Sequence, residues 1–156
     1  MEKRYVYSAP GRTEICGNHT DHQHGCVLAA AVDLETTAEV RLNGTDRINV
    51  QSEGYPAFQV DLNDLAVRTE EHNLRDASDA VEVLNDLAVR TEELGTSPAL
   101  VRGVAAAFRD YGAELKGFDA QIRSNVLPGS GLSSSAAFEV LFGTIFNDLF
   151  FENKLT

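Results

Sequence analysis

The sequence has no tryptophan, one methionine, four prolines and only two cysteines, Cys16 and Cys26. Their spacing fits neither a zinc motif nor a redox motif, which leaves two ordinary thiols of a reducing cytoplasm or a single disulfide. Basic residues are also scarce: 13 Lys and Arg face 24 Asp and Glu, for a formal charge of −11. Nucleic acid and anionic membrane surfaces both require clustered positive charge, so neither partner fits. The N-terminal stretch MEKRYVYSAP lacks the apolar run of a signal peptide, and no later stretch is long enough to span a bilayer. The expectation is a cytoplasmic protein without nucleic-acid or membrane partners. Scarcity of positive charge does not exclude a phosphorylated ligand, because backbone N–H groups and a metal ion can hold a phosphate without adding to a charge count. What remains is ordinary for a globular chain, with 156 residues, 43% apolar and 24% charged, enough for one domain with a core.

Apolar side chains alternate or cluster over residues 4–8 and 12–16, with Pro10-Gly11 reading as a break between them. Cys26 to Val32 is an apolar run of strand length. Thr37 to Leu42 and Ile48 to Gln51 alternate, and Asn43-Gly44-Thr45-Asp46 between them reads as a hairpin turn. Phe58 to Leu62 gives another alternating strand. Further on, Ala99 to Tyr111 predicts a helix with Leu100, Val104, Ala107 and Phe108 on one face, stopped at Gly112. Phe118 to Ile122 reads as a strand. From Ser133 a second helix follows, with Ala137, Val140, Leu141, Ile145 and Leu149 at helical spacing. This mixed order is not a regular alternation of strand and helix.

The segment LNDLAVRTEE occurs twice, at Leu62–Glu71 and Leu84–Glu93. Two copies are too few for a solenoid, which needs at least about three to bury a continuous core. A local tandem duplication fits better. The extra copy then either extends a helix, keeping its apolar face in register, or loops out at modest entropic cost.

Two segments carry chemistry. The first is Leu127 to Ala137, LPGSGLSSSAA, between a predicted strand and an apolar helix. Gly129 and Gly131 let the backbone turn tightly and approach a ligand without a Cβ in the way. Serines follow where the helix begins, and the unpaired N–H groups and positive dipole end there suit a phosphate. A serine hydroxyl at that place can also reach a magnesium ion. The competing reading is a glycine-rich turn closed by a serine N-cap. The second segment, Ala9 to Gly25, APGRTEICGNHTDHQHG, gathers Arg12, Asn18, His19, Asp21, His22 and His24. A polyhydroxy ligand needs such a mixture of donors and acceptors. A metal site on the histidines and Asp21, or a solvated polar turn, would use the same residues.

Together the two segments resemble the galactokinase family, within the superfamily of galactokinase, homoserine kinase, mevalonate kinase and phosphomevalonate kinase. The sugar motif is matched by Pro10-Gly11-Arg12 and by Gly17-Asn18-His19-Thr20-Asp21. The phosphate motif is matched from Pro128 through Gly129, Ser130, Gly131, Leu132, Ser133, Ser134 and Ser135, with one residue fewer between Pro and Gly. The link GFDAQIRSNVLPGSG and the helix AAFEVLFGTIFNDLF are similar to the family as well. The resemblance implies an α+β fold, the N-terminal domain type of that superfamily (ribosomal-protein-like), with a mainly antiparallel sheet covered by helices. It implies a single such domain over residues 1–156, and phosphorylation of galactose at its anomeric hydroxyl by ATP and Mg2+. In that reading Arg12 stabilises developing charge, and Asn18, His19, Thr20 and Asp21 bind the sugar. Gly129 to Ser135 cradle the phosphates, with Ser135 on the magnesium.

Many family members have Glu where Asn18 stands, so an acceptor-only carboxylate becomes an amide. The family's catalytic Asp and second magnesium carboxylate lie beyond the phosphate motif. Residues 1–156 alone are therefore expected to turn over little or nothing, and a non-catalytic binder or an inert fragment of the same fold is the alternative. Neither Asp148 nor Glu152 stands in the matching context. The expected absence of a C-terminal domain predicts exposed apolar surface on Phe146, Phe150 and Phe151, and self-association through it.

Overall fold

The computed structural model describes residues 3–16, 26–65, 96–127 and 129–155. Among these residues are five strands, β1 (Tyr5–Cys16), β2 (Leu28–Leu42), β3 (Arg47–Ser52), β4 (Phe58–Asp61) and β5 (Phe118–Ser124). The described helices, α1 (Ser97–Asp110) and α2 (Ser134–Phe150), pack against one face of the sheet. The strand order is β1-β2-β5-β3-β4, antiparallel except for the parallel pair β3–β5. This is the α+β architecture that the motifs imply.

Two strand expectations need correction. Pro10-Gly11 does not break the first strand; β1 runs through it, and the pairing with β2 shifts register between Pro10 and Arg12. The bulge takes up the irregularity that proline and glycine introduce, and it turns the Arg12 N–H away from the ladder. Nor does Asn43–Asp46 close a hairpin, because β5 lies between β2 and β3. Alternation identifies strands but not their partners. The connection arches over the entry to β5 instead: Gly117 donates to the Thr45 carbonyl at 2.7 Å, and Asn43 N–H donates to the Gly117 carbonyl at 3.2 Å. A Cβ on Gly117 would stand 2.4 Å from the carbonyl oxygens of both Thr45 and Arg47, so only glycine fits there.

The inner face of the sheet follows period two: Ala38 and Val40 on β2, Ile48 and Val50 on β3, and Phe118, Ala120 and Ile122 on β5 are all buried. Helix α1 is capped by Thr96, whose hydroxyl accepts from Ala99 N–H, and is followed by Gly112 at φ 89°. Its buried face is Val101, Ala105, Ala106 and Phe108. The predicted stripe was rotated: Ala107 is exposed, and Leu100 and Val104 sit only at the margin. In α2, Ala137, Leu141, Phe142, Ile145 and Phe146 are buried, whereas Val140, assigned to the core from spacing, is 58% exposed. Helices lined with apolar residues on more than one side carry no unique stripe in sequence.

The phenylalanines are also not as expected. Phe146 is fully buried. Phe150 lies 6.2 Å from the Phe118 ring, and Phe151 meets Phe108 edge-on at 5.8 Å. These residues close the core instead of forming an exposed patch. Each fully buried phenylalanine contributes roughly 2–3 kcal/mol of apolar burial. Of the duplicated segment, Leu62 and Leu65 are core residues, while positions 66–71 and the second copy fall outside the described residues. Cys16 and Cys26 are both exposed thiols and form no disulfide.

Candidate functional site

The glycine-rich segment leaves the sheet at the end of β5 and enters α2, at the edge where β1 carries its bulge. Gly129 and Gly131 both adopt positive φ, 75° and 76°, and a Cβ at either would meet nothing within 4 Å. They are therefore glycines for backbone shape, with open space above them. Between them the chain is tied by Ser130, whose hydroxyl donates to the Leu127 carbonyl at 2.6 Å.

Ser133 departs from an ordinary serine cap. It holds the N-cap position of α2 in the left-handed region, φ 56° and ψ 48°, and its side chain makes no capping bond. A capping serine normally sits in extended backbone and accepts from the first turn. Here a non-glycine residue pays the cost of left-handed backbone, about 1 kcal/mol, and leaves the first-turn N–H groups uncapped by its hydroxyl. Those N–H groups and the dipole of a 17-residue helix face the loop. The arrangement suits an anion better than it suits a simple helix cap.

Arg12 reaches the same place from β1. Its backbone N–H, turned away from the ladder by the bulge, donates to the Leu132 carbonyl at 3.1 Å. Its Nε donates to Ser133 Oγ at 3.4 Å, and Nη2 donates to Glu14 Oε1 at 3.1 Å. The Arg12 side chain is half exposed and ion-paired to Glu14. Gly11 makes this junction possible: a Cβ there would lie 3.0 Å from the Leu132 carbonyl and 3.2 Å from both Val126 methyls. The sequence shows Gly11 as a break and as part of the sugar motif but not as a packing contact, because a close approach to a loop 121 positions later leaves no local signal.

Beside the loop opens a cleft of about 840 Å³, with apolar walls from Phe58, Leu100 and Phe138 and the hydroxyl-bearing Ser134 and Ser135 at one end. Its size is that of small-ligand sites, roughly 300–1,000 Å³. The structure thus brings Arg12 together with Gly129, Ser130, Gly131, Leu132, Ser133, Ser134 and Ser135. Asn18, His19, Thr20 and Asp21, with His22 and His24, lie outside the described residues. Among the described residues no cluster of three or more His, Cys, Asp or Glu could hold a metal. Asp148 is remote from the loop in function: it accepts from Tyr7 OH at 2.7 Å and from Asn153 at 2.9 Å, tying β1 to the far end of α2.

Residues 1–42 match the galactokinase galactose-binding signature, and residues 99–156 match the GHMP kinases N terminal domain. The chain carries galactokinase-family domains and resembles galactokinases over almost all of its length. It is 33% identical over 150 residues to the galactokinase of Lactococcus lactis subsp. lactis, covering 96% of this chain and 32% of that protein. The crystal structure of Lactococcus lactis galactokinase complexed with galactose aligns over 99% of this chain and 34% of its own, at 26% identity and a TM-score of 0.71. The Streptococcus pneumoniae phosphomevalonate kinase, solved with phosphomevalonate and AMPPNP, shares the fold at a TM-score of 0.57 and 18% identity, covering 97% of this chain and 38% of that one. The chain spans about a third of the length of the curated relatives that it matches.

Proposed function

We propose that this chain is the sugar- and nucleotide-recognition part of a kinase that transfers the terminal phosphoryl group of ATP to the anomeric hydroxyl of galactose. One observation carries the reading. Arg12, on the strand that leads into the sugar motif, is bonded by backbone and side chain to the loop that precedes α2. Sugar hydroxyl and nucleotide phosphate must meet for transfer, and this junction is where the two motifs meet.

The residues fit a nucleotide triphosphate. Uncapped N–H groups at the start of α2 and the open space above Gly129 and Gly131 receive phosphate oxygens. The adjoining apolar cleft accepts a base. Ser135, exposed in the first turn, would offer a hard oxygen to a magnesium ion, which would neutralise phosphate charge. Arg12 holds positive charge at the transfer point, and Asn18, His19, Thr20 and Asp21 bind and orient the sugar hydroxyls. In such a reaction, positioning and charge neutralisation supply most of the rate enhancement. The galactose bound to the Lactococcus enzyme and the AMPPNP bound to the phosphomevalonate kinase support both ligand classes.

In this reading residues 1–156 form one galactokinase-like N-terminal domain that binds both ligands. Calorimetric titration with galactose, glucose and MgATP tests the reading. Binding of MgATP and of galactose in preference to glucose is expected. A folded chain that binds neither ligand contradicts the proposal.

A further inference from the structure

The inner face of the β2–β5 pair carries apolar rungs until its last. Leu42 faces Phe118, Val40 faces Ala120 and Ala38 faces Ile122; then Thr36 faces Ser124. Both strands thus exchange an apolar residue for a hydroxyl on one rung, at the rim of the cleft where the chain departs for the glycine-rich loop. Thr36 is 2% exposed, the one buried polar residue among those described. Burial of a hydroxyl is unfavourable unless it is hydrogen-bonded.

The bonds are present and mutually consistent. Thr36 Oγ1 and Ser124 Oγ are 2.7 Å apart. With Thr36 donating, Ser124 Oγ accepts from Thr36 and from the Val126 N–H at 3.2 Å, and donates its own proton to the Val126 carbonyl at 3.3 Å. Next to this, Asn125 N–H donates to the Glu35 carbonyl at 3.0 Å. Val126 is thereby fixed on both backbone groups as the chain leaves the sheet. Its side chain, 1% exposed, is the wall against which Gly11 packs. Six residues on, Leu132 receives Arg12. The hydroxyl rung therefore sets the height at which the loop leaves the sheet, and through Val126 the spacing between the loop and Arg12.

We propose that Thr36 is a positioning residue for the phosphate loop, acting through Ser124 on the backbone of Val126. The proposal rests on the nucleotide-binding reading above. Thr36 itself contacts no phosphate in this account; it determines whether the amides of the loop stand where a phosphate requires them.

The test uses the whole chain and the variants Thr36→Val, which keeps the shape and removes the hydroxyl, and Thr36→Ser, which keeps the hydroxyl. Two quantities are measured: amide hydrogen exchange at Val126 without ligand, and the dissociation constant for MgATP. In Thr36→Val, exchange at Val126 is expected to rise by up to about tenfold and MgATP affinity to fall by about tenfold, the scale of one hydrogen bond. Thr36→Ser is expected to restore both, and neither variant is expected to alter exchange in the β3–β4 pair. A purely structural role would loosen the sheet generally and would not be rescued by serine. If Thr36→Val does not fold, Ser124→Ala, at the exposed rim where truncation leaves no cavity, is expected to give the same two changes. Unchanged exchange at Val126 and unchanged affinity in a folded variant overturn the proposal. If the wild-type chain binds no MgATP, the functional reading fails, while the exchange measurement still decides whether the rung fixes the loop.

Discussion

Replacing Gly11 with alanine adds one methyl group at the junction between the sugar-motif strand and the phosphate loop. That Cβ would stand 3.0 Å from the Leu132 carbonyl oxygen and 3.2 Å from both methyls of Val126, closer than side-chain carbons normally approach. Val126 is buried and cannot swing away, so the loop must move by a few tenths of an ångström. Overpacking of this kind costs about 1–3 kcal/mol. Strain on the 3.1 Å bond from Arg12 N–H to Leu132 forfeits part of a further contribution of about 1 kcal/mol. A net loss of about 2 kcal/mol leaves a domain of ordinary stability folded, and lowers its melting temperature by roughly 4–8 °C. The effect on ligand binding is expected to be out of proportion to that loss. Displaced amides and a displaced Arg12 weaken MgATP binding by at least about tenfold, because sub-ångström misplacement is expensive at a phosphoryl-transfer site. Thermal unfolding and nucleotide titration on the same sample separate the two effects. Gly103→Ala is the control: it lies inside α1 with nothing within 4 Å of the new Cβ, and it is expected to stabilise by about 0.5–1 kcal/mol with affinity unchanged. A Gly11→Ala protein that binds MgATP as tightly as the wild type would refute the claim that this close approach sets the loop.

Gly117→Ala should be far more damaging to stability, by about 3 kcal/mol or more, since its Cβ would collide with backbone oxygens at 2.4 Å; a denaturant midpoint near that of the wild type would show that the arch over β5 is not as tight as described. Ser133→Gly should raise stability by about 1 kcal/mol by relieving left-handed backbone, yet weaken MgATP binding by removing the hydroxyl that receives Arg12 Nε; a gain in both would argue against a role for that contact. Tyr7→Phe should cost about 1 kcal/mol at neutral pH, a charge-assisted bond discounted for the exposure of Asp148. The Asp148 carboxyl is held below the usual carboxylate range, chiefly by the Tyr7 hydrogen bond and then by Asn153. Its stabilisation is therefore present above about pH 4, the unfolded value, and lost as pH falls through the folded one. Burial, followed by the Asp148 hydrogen bond, pushes the Tyr7 hydroxyl up, so its stabilisation is present below about pH 10 and lost on further alkalinisation. Denaturation curves from pH 2 to 11 should show a shallower acid slope and a weaker alkaline slope in Tyr7→Phe than in the wild type.

Much of this was legible in the residues because it is local. Period-two alternation located β3, β4 and β5, and Gly112 marked the end of α1. The glycine pair and serine run of 129–135 announced a loop before a helix. Pairing was not legible, since alternation in β2 and β3 is the same whether they bond to each other or to β5 between them. Helix rotation failed for a similar reason: Ala107 and Val140 are apolar residues that flank the buried faces of their helices, and packing chooses which side is buried. The Thr36–Ser124 rung was visible only as two lapses in apolar alternation, 88 positions apart. Its meaning appears once β2 and β5 are adjacent, as does the meaning of Gly11 once the loop lies against it. The galactose motif's own residues, 18–21, stand outside the described residues, and their assignment rests on the sequence.

The central claim is that the segment 129–135, with Arg12, is where a nucleotide phosphate binds. Mapping backbone amide chemical shifts while adding MgATP to the chain tests it most directly. The account predicts saturable shifts centred on Gly129 to Ser135 and on Arg12, weakened in Arg12→Ala and mimicked in the loop by inorganic triphosphate. Saturable shifts centred elsewhere would contradict it, for example at the depression of about 570 Å³ on the outer face of the sheet lined by Asn49, Gln59 and Asp119, with the loop amides unmoved.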